Sequence, residues 1–218
     1  DRLTPRCVES TDVTGSVSES AAALTGLKVG TPVVGGGGDA IVQTTGMGIT
    51  RPGVLGITIG TSGVAAMALE DFKPNHGGRL QVFCNNAPKL WHAMGVTLAA
   101  GGSLQWYRDQ FCEAEIATAE AEGTRVYNIL DEQAKAALPG SRNLLFLPYL
   151  NGERCPYADP DAKGAFIGLT LHHGKKEMTR SVMEGVQFSL HQVFDLFTQL
   201  DPAITADRII LSGGGSRS

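Results

Sequence analysis

Apolar residues recur every three or four positions between Glu177 and Leu200, at Val182, Val186, Leu190, Val193, Phe197 and Leu200. That stripe predicts the longest helix of the chain. In GVLGITIGTSGVAAMALE two apolar segments flank Gly60-Thr61-Ser62-Gly63, a pattern that predicts a hairpin. Further extended segments are expected at Leu80 to Cys84, Leu90 to Met94, Asn143 to Leu147 and Arg208 to Leu211, the last running into Ser212 and three glycines. A short helix is predicted from Ser18 to Leu24, with Ser18 as its cap and Gly26 as a left-handed stop. A second helix should begin at Gly101-Gly102, because Leu104, Tyr107 and Phe111 of LQWYRDQF recur at helical spacing. A third should be capped by Thr124, bury Val126, Ile129, Leu130, Ala134, Ala137 and Leu138 on one face, and close at Pro139-Gly140. β-rich segments followed by alternating helices and strands indicate an α/β fold.

The stretch VVGGGGDAIVQTTG sets four glycines, Gly35 to Gly38, against one carboxylate, Asp39. Thr31 to Val34 reads as a buried strand, and Ala40 to Thr45 as the start of a helix. Glycine runs cost backbone entropy, so they belong where the main chain takes positive φ or where something approaches closely. The run is therefore expected to leave room beside Asp39. Two roles are open for that residue on pattern alone: cap of the helix beginning at Ala40, or a functional carboxylate. Glycine turns recur at 60–63 and 213–215, and a glycine pair opens the helix at 101–102. Backbone N–H groups at such places can cradle phosphates, although neither a dinucleotide fingerprint nor a P-loop is present.

Composition narrows the partners. The 218 residues are 42% hydrophobic, enough for one large or two modest domains. A formal net charge of −4 and a pI near 5.7, with no run of Lys or Arg, argue against nucleic acid or an anionic membrane as the main partner. Cys7, Cys84, Cys112 and Cys155 are scattered and form no C-x-x-C pair, which suits a reduced, cytoplasmic chain. No apolar run is long enough to span a bilayer, and DRLTPRCVES lacks the order of a signal peptide. His172 and His173 are neighbours of the kind found in a solvated turn, and no metal is assigned to them.

The segment NGERCPYADPDAKGAFIGLTLHHGKKEMTRSVMEGVQFSL resembles the carboxy-terminal signature of the FGGY family of carbohydrate kinases. The typed positions are Gly164, Phe166, Gly168-Leu169, seven residues, Glu177-Met178, two residues, and Ser181-Val182-Met183-Glu184. GERCPYADPDAKGAF, GLKVGTPVVGGGGD and GVLGITIGTSG resemble the xylulokinase branch in particular. The resemblance runs from about Glu9 to the end.

It implies an actin-like, ribonuclease-H-like ATPase fold of two domains, with ATP and sugar meeting between them. Residues 1–50 would be the end of the N-terminal domain, and 51–218 the nucleotide-binding C-terminal domain, incomplete at its end. The chain would then be a fragment: the first domain's phosphate loop and most of the sugar pocket would lie upstream of Asp1, and it would be inactive alone. The resemblance places the catalytic base, touching the substrate, at Asp39. It places Gly60 and Thr61 at the ATP phosphates, Gly101 and Gln105 at the nucleotide, and Gly213 and Gly214 against the adenosine. The implied cofactors are ATP and Mg2+, with no protein ligand for the metal beyond an indirect role for Asp39. The implied reaction is phosphorylation of a sugar hydroxyl, D-xylulose to D-xylulose 5-phosphate, with gluconate, glycerol, another ketose or another polyol as alternative acceptors. A non-catalytic actin-like nucleotide binder is the alternative of another class, and a homodimer is among the assemblies open to the protein. One departure is noted: many xylulokinases carry an amide directly after the aspartate, whereas this chain has Ala40.

Overall fold

A computed structural model describes residue 3 and residues 6–75 and 77–218. Its centre is a five-stranded sheet in the order β5-β6-β4-β3-β9. The strands are β3 (Val54–Ile59), β4 (Gly63–Leu69), β5 (Gln81–Cys84), β6 (Trp91–Thr97) and β9 (Arg208–Ser212). β3 and β9 run parallel, and the other neighbours are antiparallel. β3 and β4 form the expected hairpin, in the register Ile59↔Gly63 to Leu55↔Met67. β4 is central and covered on both sides. Ala65, Met67 and Leu69 face one apolar layer, and Ala66 and Ala68 face the other.

Helix α6 (Lys175–Leu200) begins two residues before the predicted start and ends where its stripe ends. Val182, Val186, Leu190, Val193 and Phe197 are all buried, but against three different surfaces. Val182 packs with Tyr107, Leu130 and Phe146. Val186 and Leu190 lie under Ile59 and Ala100. Val193 and Phe197 sit on the sheet against Leu55, Ala65, Met67 and Ala93. One helix thus supports the sheet, the β3–β4 turn and the helices beside it. Those are α3 (Gly101–Phe111), α4 (Glu113–Glu122) and α5 (Val126–Ala136).

The opposite face of the sheet is covered by α2 (Asp39–Gly46) and the turn after it, through Ala40, Met47 and Ile49. Ahead of them, β1 (Val13–Ser16), α1 (Glu19–Thr25) and β2 (Pro32–Val34) form a small ribbon and helix. α1 has the predicted Ser18 cap and a left-handed Gly26. A short ribbon of β7 (Leu145–Leu147) and β8 (Ala165–Ile167) packs beside α6.

Several expectations need correction. The strand at 31–34 is not buried: Val33 and Val34 are 44% and 51% exposed, because it pairs only with β1, itself exposed, and no further layer packs on the ribbon among the described residues. Thr124 does not cap α5. Arg125 holds the cap position, and the Thr124 hydroxyl instead accepts a hydrogen bond from the Asn128 side chain. Leu138 lies beyond the end of α5 and is exposed, as is Phe111 at the end of α3. α4, rich in Ala and Glu, escaped the periodicity because its only buried residue is Ala119. β6 extends three residues past Met94.

Candidate functional site

The hairpin turn between β3 and β4 is gripped from behind by the start of α3. The N–H groups of Ala100 and Gly102 donate to Thr61 O at 2.8 and 3.0 Å, and that of Gly101 donates to Gly60 O at 2.8 Å. A Cβ on Gly101 would stand 2.5 Å from Gly60 O, so only glycine permits this approach. These amides, expected to offer a phosphate cradle at a helix start, are therefore already engaged within the protein.

The open donors lie elsewhere. Among the described residues, the N–H groups of Thr61 and Ser62 at the turn tip have no acceptor, and neither do those of Gly214 and Gly215 on the other side of Ile59. The second pair is brought there by β9, which runs beside β3, and by Gly213. At φ 83° and ψ 174°, Gly213 turns the chain across Ile59, where a Cβ would sit 2.5 Å from Ile59 O. A side chain at 213 would push the two donor pairs apart.

Between these segments is a cavity of about 360 Å³, of the size that small-molecule sites occupy. Gly60, Thr61, Gly101, Gln105 and Gly214 line it, so five of the six nucleotide residues named from the sequence, spread over more than 150 positions, meet in one place. Gly213 does not line it; it builds the turn against Ile59, and Gly215 lines the cavity beside Gly214. Sequence reasoning missed the wall supplied by α5, with Arg125, Tyr127, Asn128 and Asp131, and also Arg217. Nothing in a pattern of helical spacing marks those polar residues as facing a cavity. Tyr127 is held from behind by Arg108, which donates to its hydroxyl at 2.7 Å and lies 5.2 Å from its ring centre. Asp131 accepts from the Ser218 hydroxyl at 2.6 Å. The site thus offers free peptide N–H donors, two guanidinium groups and a fixed aromatic ring, a set suited to a phosphorylated ligand with a flat base.

Asp39 stands apart from this cavity. It is the first residue of α2 rather than its cap, a position held by Gly38, and its Oδ1 accepts the Ala40 N–H at 2.7 Å. The carboxylate is exposed. The glycines before it differ in their reasons. Gly36 takes a φ of +73°, and Gly35 and Gly37 are packed against Glu9 O and the Asn86 amide, which a Cβ would meet at 2.8 and 2.1 Å. Only Gly38, next to Asp39, combines ordinary backbone with open space. Ala40 packs into the apolar layer under α2, so its methyl group is directed at the sheet and not at the solvent that Asp39 faces.

The signature segment plays another part. Glu177 accepts the Gly174 N–H at 3.0 Å at the start of α6, and that bond, helped by Lys176 and Arg142, holds its carboxyl below the ordinary range. Glu184 accepts from Gly140 N and the Ser141 hydroxyl, both at 2.9 Å, and from Arg180 at 2.7 Å. Burial raises its pKa, but these donors outweigh it and the net shift is downward. Arg180 in turn donates to the carbonyls of Ala134 and Ala137 at the end of α5. These are bracing contacts that hold α5, and with it one wall of the cavity.

Comparison with known proteins identifies the family. Residues 55–218 match the FGGY family of carbohydrate kinases, C-terminal domain. The chain is 36% identical to a gluconokinase of Bacillus subtilis over 215 residues, 98% of this chain and 41% of that protein. It is also 36% identical to a xylulose kinase of Lactococcus lactis over 217 residues, 100% and 41% of the two. The solved xylulose kinase from Rhodospirillum rubrum superposes with a TM-score of 0.83 at 31% identity, covering 98% of this chain and 41% of that one. The gluconate kinase from Lactobacillus acidophilus gives a TM-score of 0.83 at 26% identity, with the same coverage. The chain thus spans 41% of the length of these relatives, and by its matched residues and its actin-like architecture it belongs to the FGGY family of carbohydrate kinases.

Proposed function

We propose that the polypeptide containing this chain transfers the γ-phosphoryl group of ATP to a sugar hydroxyl, with D-xylulose as the acceptor, and that the 218 residues supply the nucleotide site and the base. The observation that carries the reading is that Thr61, Gly214 and Gly215, whose N–H groups are unengaged among the described residues, line one cavity together with Ile59. In phosphoryl transfer the protein mainly positions the partners and stabilises charge on the phosphate oxygens, the work that preorganised N–H donors perform. Arg125 and Arg217 add positive charge at the cavity wall.

Asp39 is assigned the proton of the attacking hydroxyl. An exposed carboxylate on the first turn of a helix, preceded by a residue with open space around it, can meet an acceptor hydroxyl. Magnesium, if carried in on ATP, would neutralise phosphate charge; among the described residues no group of three His, Cys, Asp or Glu could hold a metal, and no residue is assigned as its ligand. Gluconate is the second reading, favoured by the gluconokinase at the same identity as the xylulose kinase.

Two measurements test this. The chain should bind a fluorescent ATP analogue in a saturable manner, displaced by ATP. In the complete enzyme Asp39→Asn should lower turnover by a factor on the order of 10² to 10⁴ while ATP affinity changes little, because Asn keeps the shape but takes no proton. Turnover near that of the parent would reject the base. Assaying D-xylulose and gluconate side by side chooses the acceptor.

A further inference from the structure

The β5–β6 turn reaches across to the glycine run through a single side chain. Asn85 stiffens that turn: its N–H donates to Leu90 O at 3.0 Å, and its Oδ1 accepts the Ala87 N–H at 2.9 Å. Asn86 then projects its amide between three segments that precede the sheet. Its Oδ1 accepts from the Ser10 hydroxyl at 3.0 Å, and its Nδ2 donates to the Thr45 hydroxyl at 3.1 Å. Thr45 gives its own hydroxyl proton to Ile41 O at 2.8 Å, so toward Asn86 it can only accept. That settles which end of the amide faces α2.

The same Oδ1 occupies the position a Cβ would take on Gly37, at 2.1 Å. Asn86 therefore brackets Asp39, with Gly37 two residues before it and Thr45 six residues after. The run's other fixed points lie on either side of Gly37: the Gly35 and Gly36 N–H groups donate to Asp12 O and Ser10 O, both at 3.0 Å, and Gly38 O accepts from Ile41 and Val42 at 3.0 and 2.9 Å. Gly35 lies against Glu9, but Gly36 and Gly38 have nothing within 4 Å of their Cβ positions. Gly37 alone of the four makes no backbone hydrogen bond among the described residues, and a glycine without such a tie has wide backbone freedom, which the chain toward Asp39 inherits unless something else fixes it.

We propose that Asn86 is a positioning residue: by filling the Cβ space of Gly37 and gripping Thr45, it fixes the start of α2 and so the direction of the Asp39 carboxylate. The proposal rests on the reading of Asp39 as the base. It accounts for a glycine at 37 without any ligand, since a methyl group there would evict the amide from both of its hydrogen bonds. A base displaced by about 1 Å can lose on the order of 10² in rate, so a modest loosening should be visible in turnover.

The test is a double-variant cycle in the complete kinase, with hydrogen exchange measured on the 218-residue chain. Asn86→Ala should lower kcat by about tenfold or more and leave the KM for ATP within about twofold, since Asn86 does not line the nucleotide cavity. Amides of residues 36–42 should exchange faster, and those of α6 at the parent rate. Gly37→Ala should produce the same loss by forcing the amide out. Combining the two places a methyl group in the vacated space, so the double variant should turn over faster than Gly37→Ala alone. Thr45→Val, which keeps Gly37 and Asn86, should give an intermediate loss, and it serves if Asn86→Ala does not fold. Unchanged kcat, losses that simply multiply, or faster exchange extending through α6 would overturn the proposal. If Asp39→Asn keeps its turnover, the base reading fails instead, and exchange over 36–42 still decides whether Asn86 pins the run.

Discussion

Gly101→Ala separates two ways in which a glycine can serve a nucleotide site. If Gly101 is bare only so that a ligand can approach, an added methyl group weakens binding and leaves the fold alone. The structure says otherwise. The new Cβ would stand 2.5 Å from Gly60 O, about 0.9 Å short of the 3.4 Å at which ordinary contact begins. The atom in the way is backbone, fixed by the hairpin, so α3 and the turn must separate. A retreat of that size stretches hydrogen bonds of 2.8, 2.8 and 3.0 Å from Ala100, Gly101 and Gly102 to or beyond the limit of useful geometry. Each such bond contributes about 1 kcal/mol net, so losing two or three costs about 2–3 kcal/mol, a drop of about 5–10 °C in Tm for a protein of this size. Thr61 moves with the turn, and ATP affinity should fall by about tenfold or more as the amide edges lose their spacing. Calorimetry on the chain and titration with a fluorescent ATP analogue read the two effects. A variant melting within about 1 °C of the parent would refute the docking argument, whatever happened to binding.

Other outcomes follow from the same structure. Phe197→Ala should destabilise the chain by about 3–5 kcal/mol in urea unfolding, because Phe197 is fully buried between α6 and the sheet; a loss under about 1 kcal/mol would contradict that packing. His92, fully buried on β6 with neither ring nitrogen hydrogen-bonded among the described residues, has its pKa lowered by burial from 6.5 to about 4. The folded state admits only the neutral ring, so its stability is full above about pH 6.5 and falls by about 1.4 kcal/mol per pH unit toward pH 4. His92→Leu should therefore gain about 2–3 kcal/mol on the parent between pH 7.5 and 4.5, and parallel stability curves would reject the assignment. Finally, residues 1–218 alone should phosphorylate no sugar at a meaningful rate, since they span 41% of the length of the relatives and positioning supplies much of the catalysis; robust xylulose phosphorylation by the isolated chain would show the acceptor site to be misplaced.

Residue pattern alone determined the elements whose side chains report their surroundings. The stripe of α6, the hairpin at 60–63 and the cap and stop of α1 could be read directly, because burial on one face leaves a periodic mark on side-chain type. The signature from Gly164 to Glu184 identified the family for a different reason than its chemistry suggests. Its acidic residues brace α5, α6 and a turn at 140–141, and touch no cavity-lining group directly. What only the tertiary structure decided is where backbone meets backbone. Gly101 and Gly213 lie more than 100 residues apart, and both are glycine because Gly60 O and Ile59 O stand where their Cβ atoms would be. A missing side chain carries no periodicity, so the sequence shows the glycines but not what presses on them. Gly37 is the sharpest case. It reads as room for a ligand beside Asp39, and its space is filled by Asn86, a residue 49 positions later brought there by the pairing of β5 with β6. Long-range contacts of this kind depend on how whole strands align, and no local window of residues contains that information.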